Sequence, residues 1–165
     1  LTHTHGLLAL AVLCVDRAPP HLCAVGLDAE DLEHRRRILE VADRFFAPPE
    51  VAALRALPAE PPTLQRDRFF DYWTLKEAYI KARGLGLAIP LDQFWFTLPP
   101  PRLTCAPALG DDGARWFFAQ HRPTPRHLLS LAIGATAPWR PGSPGPLIRW
   151  RHTVPLRDSD NSPSA

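Results

Sequence analysis

The feature that most constrains the fold is the stretch from Thr63 to Gly84, TLQRDRFFDYWTLKEAYIKARG. It is free of proline and has glycine only at its last position. Prolines break the chain just before it, Thr63 is placed to serve as an N-cap, and Gly84 stands where helices commonly terminate. The stretch therefore predicts a long helix to about Arg83. Trp73, Glu77 and Lys81 recur at i, i+4, i+8 along one face, while Leu75, Tyr79 and Ala82 line a core-facing stripe. This helix also holds both lysines of the chain, Lys76 and Lys81, against seventeen arginines in the whole sequence. Arginine is a planar fork, whereas lysine is a compact point charge suited to sit against a phosphate. Taken alone, Glu77 and Lys81 also fit a surface pair stabilising the helix by about 0.2 to 0.5 kcal/mol.

Around the helix, two apolar runs, LLALAVLCV at 7–15 and LCAVGLDAE at 22–30, flank the turn-forming DRAPPH and predict a hairpin. From Asp31 the period becomes helical, with Leu32, Leu39, Ala42 and Phe46 apolar, until Pro48 and Pro49 stop it. APPEVAALRALPAEPP predicts a short helix between prolines. LGLAIPLDQFWFTL, RWFFAQ and HLLSLAIGA read as strands, the last two joined by a proline-bearing loop. Residues 1–137 form the expected domain. Residues 138–165, rich in proline, serine and arginine, are expected to be mostly disordered.

At 165 residues with 45% hydrophobic and 22% charged content, one globular core is the default. A net charge of +2 gives no field that implies nucleic acid. No apolar run reaches the ~20 residues that span a bilayer. Cys14, Cys23 and Cys105 are odd in number and lack metal-ligand spacing, which predicts reduced, buried, small apolar residues in a cytoplasmic protein. The chain has no methionine and begins at Leu1, which reads as the continuation of a longer protein. The printed residues alone are thus expected to be poorly soluble or dimeric and inactive.

Alternation over GLDAED sends Asp28 and Glu30 to one strand face. Two carboxylates there repel unless something offsets them. A magnesium ion would, since it takes a few carboxylates together with water and phosphate oxygens. A strand end serving the N-terminus of the next helix is the other reading. THTHG at 2–6 offers His3 or His5 as a phosphate donor or as an exposed loop histidine.

In order, THTHGLLALAV, VGLDAED, RFFAPPE and YWTLKEAYIKARGLGLAIPLDQFWF resemble the 4′-phosphopantetheinyl transferase superfamily of the surfactin-synthetase-activating (Sfp) type. The resemblance covers residues 1 to about 135. It implies an α+β fold: the second α/β half of a pseudo-dimer, an antiparallel sheet packed on the long helix. It implies Mg2+ on Asp28, Glu30 and Glu77, and coenzyme A contacts from Thr2, His3, Lys76 and Lys81. Lys76 stands either as a phosphate contact or as the partner of a nearby carboxylate. Leu27 and Ala29 depart mildly from the family's β-branched pair.

The implied reaction moves phosphopantetheine from coenzyme A to a serine of an acyl or peptidyl carrier protein. Glu77 is the first choice of base, with Glu30 second, and Lys81 is the stabilising cation. The natural protein is expected to be a monomer. Arg35, Arg36, Arg37 and Arg44, with Phe45 or Phe46, offer a basic surface for an acidic carrier helix. The alternatives are a catalytically incomplete carrier-binding half-module and a Mg-dependent pyrophosphate hydrolase. WTLKEAYIKARG as a whole argues against the hydrolase.

Overall fold

The long helix forms as expected, and most of the chain is arranged around it. The computed structural model describes residues 1–14, 21–33, 37–139 and 145–153. In chain order the elements are β1 (Thr2–Thr4), β2 (Leu7–Ala9), β3 (Leu22–Asp31), α1 (Ile38–Phe45), α2 (Pro48–Arg55) and α3 (Thr63–Arg83). They are followed by β4 (Phe94–Thr97), β5 (Arg102–Cys105), β6 (Trp116–Thr124) and β7 (His127–Ala135). Thr63 is the first helical residue of α3, one place inside the expected cap, and Gly84 closes the helix at φ 66°. Only glycine adopts that left-handed turn without cost.

Strands β3, β7 and β6 make an antiparallel sheet in that order, with Leu27 opposite Leu131 and Asp28 opposite Ser130. The central strand β7, HLLSLAIGA, is buried along its whole length because both of its faces are covered. On one face lies α3, with Leu75, Ala78 and Tyr79 against Leu128 and Ala132. On the other, Leu27, Leu131 and Ile133 meet Ala9, Ala11 and Leu13, together with Phe117, Trp139 and Ile148. An antiparallel sheet packed on a long helix is thus what the chain builds.

The expected hairpin of 7–15 with 22–30 does not form. β2 pairs with β1, and β3 pairs with β7 across about a hundred residues of chain. The run from 7 does alternate, with Ala9, Ala11 and Leu13 inward and Leu8, Leu10 and Val12 about 70% exposed. It serves as a cover laid on the sheet and not as a strand within it. β5, hidden between prolines, pairs with β4. The helix expected from Asp31 begins at Ile38, because Asp31 closes β3. Of the expected tail, residues 140–144 and 154–165 lie outside the described residues. Nearer the body, Ile148 packs on the second core and Trp150 stacks on His121 at 4.6 Å.

Two contacts lock α3 in place. A methyl group at Gly26 would come within 2.1 Å of the Ala78 carbonyl oxygen and 2.4 Å of the Ala82 amide nitrogen, so the helix backbone rests directly on β3. On another side of α3, Lys76 and Glu50 form a fully buried ion pair at 2.7 Å. The ammonium also donates to the Leu91 and Phe94 carbonyls at 2.8 and 2.6 Å. Glu50 in turn accepts from the Ala47 and Phe96 amides. Burial pushes the Glu50 carboxyl up and the Lys76 ammonium down from their ordinary values. The full complement of donors and acceptors opposes that push and suits both groups as ions.

At the helix end, Asp111 accepts from Tyr79, Arg83 and Trp116. Burial alone would raise this carboxyl, but those donors and the two flanking guanidiniums hold it below its ordinary value.

Gly26→Ala is expected to cost about 3 kcal/mol or more, because backbone cannot move aside as a flexible side chain can. A urea midpoint within error of wild type would refute this close contact. Lys76→Met is expected to cost about 3 to 5 kcal/mol by stranding Glu50. Adding Glu50→Leu should restore only part of the loss, because the Ala47 and Phe96 amides stay unpaired; chemical denaturation of both variants checks it.

Candidate active site at the seam of strand β3 and helix α3

Strand alternation places Gly26, Asp28 and Glu30 on the face of β3 that meets α3. The close approach at Gly26 lets side chains bond across the seam at two points. The Trp73 indole donates to Glu30 Oε1 at 2.9 Å. The Lys81 ammonium donates to Asp28 Oδ1 at 2.6 Å. Glu77 is half-buried on the same helix face, one turn from each of these residues. Between the two bridges, three carboxylates therefore share one seam with a cation at its end. Lys81 is also 3.2 Å from Thr2 Oγ1, which brings the β1–β2 hairpin to the same place. A cavity of about 320 Å³ lined by Leu1, Ala11, Val25, Gly26, Leu27 and Lys81 opens beside it.

The structure thus gathers Thr2, Asp28 and Lys81 at one end of the seam and Glu30 with Trp73 at the other, with Glu77 between. His3 is exposed on the opposite face of the hairpin from Thr2, paired in register with the exposed Leu8. Lys76 is elsewhere. All three of its N–H donors are taken by Glu50 and two carbonyls inside the core. Its expected place among the coenzyme A contacts is therefore corrected to the other reading, a structural partner of a carboxylate.

Among the described residues, no three His, Cys, Asp or Glu side chains converge closely enough to hold a metal ion. The Asp28 carboxylate is turned to Lys81 and that of Glu30 to Trp73. As a donor set the three carboxylates fit magnesium, being hard oxygen ligands on facing elements with no soft ligand among them.

Of the expected basic surface, Arg35 and Arg36 lie outside the described residues. Arg37 pairs with Glu40, and Arg44 sits 5.2 Å above the ring of exposed Phe45. Phe46 is core, stacked on Phe69.

Residues that the sequence did not single out surround the site. Arg126 grips Asp31 with Nε on Oδ1 at 2.8 Å and Nη2 on Oδ2. This paired hydrogen bond holds the Asp31 carboxyl down at about 2, against the opposing effect of burial. Their separation of 95 positions leaves no local signal.

No helix among the described residues is long and apolar enough to cross a membrane.

Comparison with known proteins bears on this geometry. The family model of the 4′-phosphopantetheinyl transferase superfamily matches residues 24–132, which takes in β3, α3 and most of β7. The 4′-phosphopantetheinyl transferase HetI of Nostoc sp. is 35% identical over 130 residues, covering 73% of this chain and 49% of its own. The 4′-phosphopantetheinyl transferase Sfp of Bacillus subtilis is 36% identical over 83 residues, covering 50% of this chain and 33% of its own. The chain therefore spans between a third and a half of the length of these relatives. In fold it is similar to the holo-[acyl-carrier-protein] synthase of Thermotoga maritima, with TM-score 0.55 and 19% identity over 70% of this chain and 65% of that one. The family match over the seam-forming elements, with relatives of the same name, shows that the chain belongs to the 4′-phosphopantetheinyl transferase superfamily.

Proposed function

We propose that the protein transfers the phosphopantetheine arm of coenzyme A to a serine hydroxyl of an acyl or peptidyl carrier protein. The observation that carries this reading is the seam itself: Asp28, Glu30 and Glu77 on facing elements, bracketed by the Trp73–Glu30 and Lys81–Asp28 contacts. Asp28, Glu30 and Glu77 would hold Mg2+, which when bound neutralises the pyrophosphate and orients it.

The serine oxygen attacks the phosphorus bearing the pantetheine arm. The bond from that phosphorus to the bridging oxygen breaks, and adenosine 3′,5′-bisphosphate leaves with the electron pair. Glu77 takes the serine proton, a contribution of roughly 10² to 10⁴ in rate, and Glu30 is the second candidate. Lys81 turns from Asp28 toward the leaving phosphate, where an ammonium aimed at developing charge lowers the barrier. Thr2 stands beside that ammonium, and His3 is open to the nucleotide from the hairpin's outer face. Arg37 just ahead of α1, and Arg44 and exposed Phe45 on it, offer the acidic carrier a basic, partly apolar surface. Our reading puts the reaction in the cytoplasm, where free thiols stay reduced; Cys14 and Cys23 are exposed and Cys105 half-buried, in place of the burial expected of all three.

The test is to incubate the native protein with coenzyme A, magnesium and an apo carrier protein, and to weigh the carrier. A gain of one phosphopantetheine arm is expected, abolished by excess chelator. Asp28→Asn and Glu77→Gln should each slow it by about 10²-fold or more. Full transfer in chelator, or a wild-type rate for both variants, would sink the proposal. Cleavage of coenzyme A without carrier modification would indicate the hydrolase instead.

A further inference from the structure

The β1–β2 hairpin carries Thr2 to Lys81, yet each of its strands is three residues long. A two-stranded hairpin is at best marginally stable in water, so what anchors it decides where Thr2 stands. One anchor is the Lys81 contact. A second is Ala9 of β2, packed on the sheet, and a third lies at the turn, where Gly6 adopts φ 77° and the His127 ring packs beneath it.

There, His127 Nε2 lies 2.8 Å from the His5 carbonyl oxygen. A carbonyl only accepts, so Nε2 carries the proton. In the neutral ring Nδ1 is then an acceptor, and the Thr124 hydroxyl, 2.8 Å away, donates to it. Thr124 Oγ1 in turn accepts from the Arg126 amide at 3.2 Å. The chain of donors has one consistent direction, ending on the hairpin turn. Beside it, Arg126 Nη2 reaches His5 Nδ1 at 3.2 Å while its guanidinium is gripped by Asp31 and also meets Glu33. His127 and Asp31 are both buried, Asp31 despite its charge.

We infer that Arg126 and His127, at the tight β6–β7 turn, are positioning residues that hold the hairpin so that Thr2 meets the phosphates of coenzyme A beside Lys81. This assignment rests on the transferase reading above. Neither residue touches the reacting atoms. His127 acts through the backbone carbonyl of His5 and Arg126 through the His5 ring, at the far end of β1 from the site, and so both bear on nucleotide binding and not on the carrier protein.

The experiment compares His127→Ala, His127→Gln and Arg126→Lys in the native protein. Glutamine can still offer an N–H to the His5 carbonyl, whereas lysine keeps the charge of Arg126 but not its fork. Two readouts are taken: hydrogen exchange of the amides of residues 2–9, which needs no ligand, and calorimetric binding of coenzyme A.

In His127→Ala, exchange across the hairpin is expected to rise about 10-fold with α3 and β7 unchanged. Coenzyme A should bind roughly 10-fold more weakly, the scale of one hydrogen bond to a charged site, while KM for the carrier stays within about twofold. His127→Gln should restore both readouts, and Arg126→Lys should fall between. Unchanged hairpin exchange in His127→Ala and Arg126→Lys overturns the anchoring. Raised exchange with unchanged coenzyme A affinity overturns the link to the nucleotide. If His127→Ala loses its global fold, Arg126→Lys decides by the same two measures. Wild-type protein that binds no coenzyme A overturns the transferase reading, and this assignment falls with it.

Discussion

Helix α3 lies on strand β3 with no side chain between them at residue 26, where the Ala78 carbonyl and the Ala82 amide occupy the space a Cβ would need. That single close approach sets the helix height over the sheet. The indole of Trp73 and the ammonium of Lys81 then come within hydrogen-bonding distance of Glu30 and Asp28. Were the helix an ångström or two higher, both bridges would open and the three carboxylates would face water separately. Packing and site are here the same contact, since a backbone cannot be repacked as a side chain can.

The two lysines of one short string have opposite fates because five residues turn a helix by about 140° beyond a full circle. Lys81 falls on the seam, partly open to water, and pairs with Asp28. Lys76 falls toward α2 and the β4 strand, where Glu50 and two carbonyls use all its protons. Burying both ions is costly, and the arrangement persists because each hydrogen-bonding group is satisfied. Glu50 also reaches back to the Ala47 amide ahead of α2 and pins the Phe96 amide of β4. The buried pair thus ties α2 and β4, with the turn before β4, to the helix that carries the seam.

Much of the site was legible in the chain because it rests on short-range periodicities. Alternation put Asp28 and Glu30 on one strand face, and the helical repeat aligned Trp73, Glu77 and Lys81. What failed was long-range. β3 found its partner in β7 rather than in the neighbouring apolar run, because β7 is apolar on both faces and needs a strand on each edge to satisfy its backbone. The run 7–13 alternates like a strand, but spends that pattern covering the sheet. His3 stands on the hairpin face away from Lys81 for the same reason that Thr2 stands near it: neighbouring residues of a strand point oppositely.

Sequence alone determined the long helix with its glycine stop, the strand character of β3, β6 and β7, the carboxylates and lysine of the seam, and the superfamily, since all of these are written in local spacing and contiguous motifs. Only the tertiary structure decided that Lys76 is an interior ion, that Lys81 pairs with Asp28 near water, that Asp31 pairs with Arg126, and that His127 meets the turn of the THTHG hairpin. Those pairings join residues tens of positions apart, and their partners are selected by burial and by the need of every buried charge and amide for a complement, which no local pattern encodes.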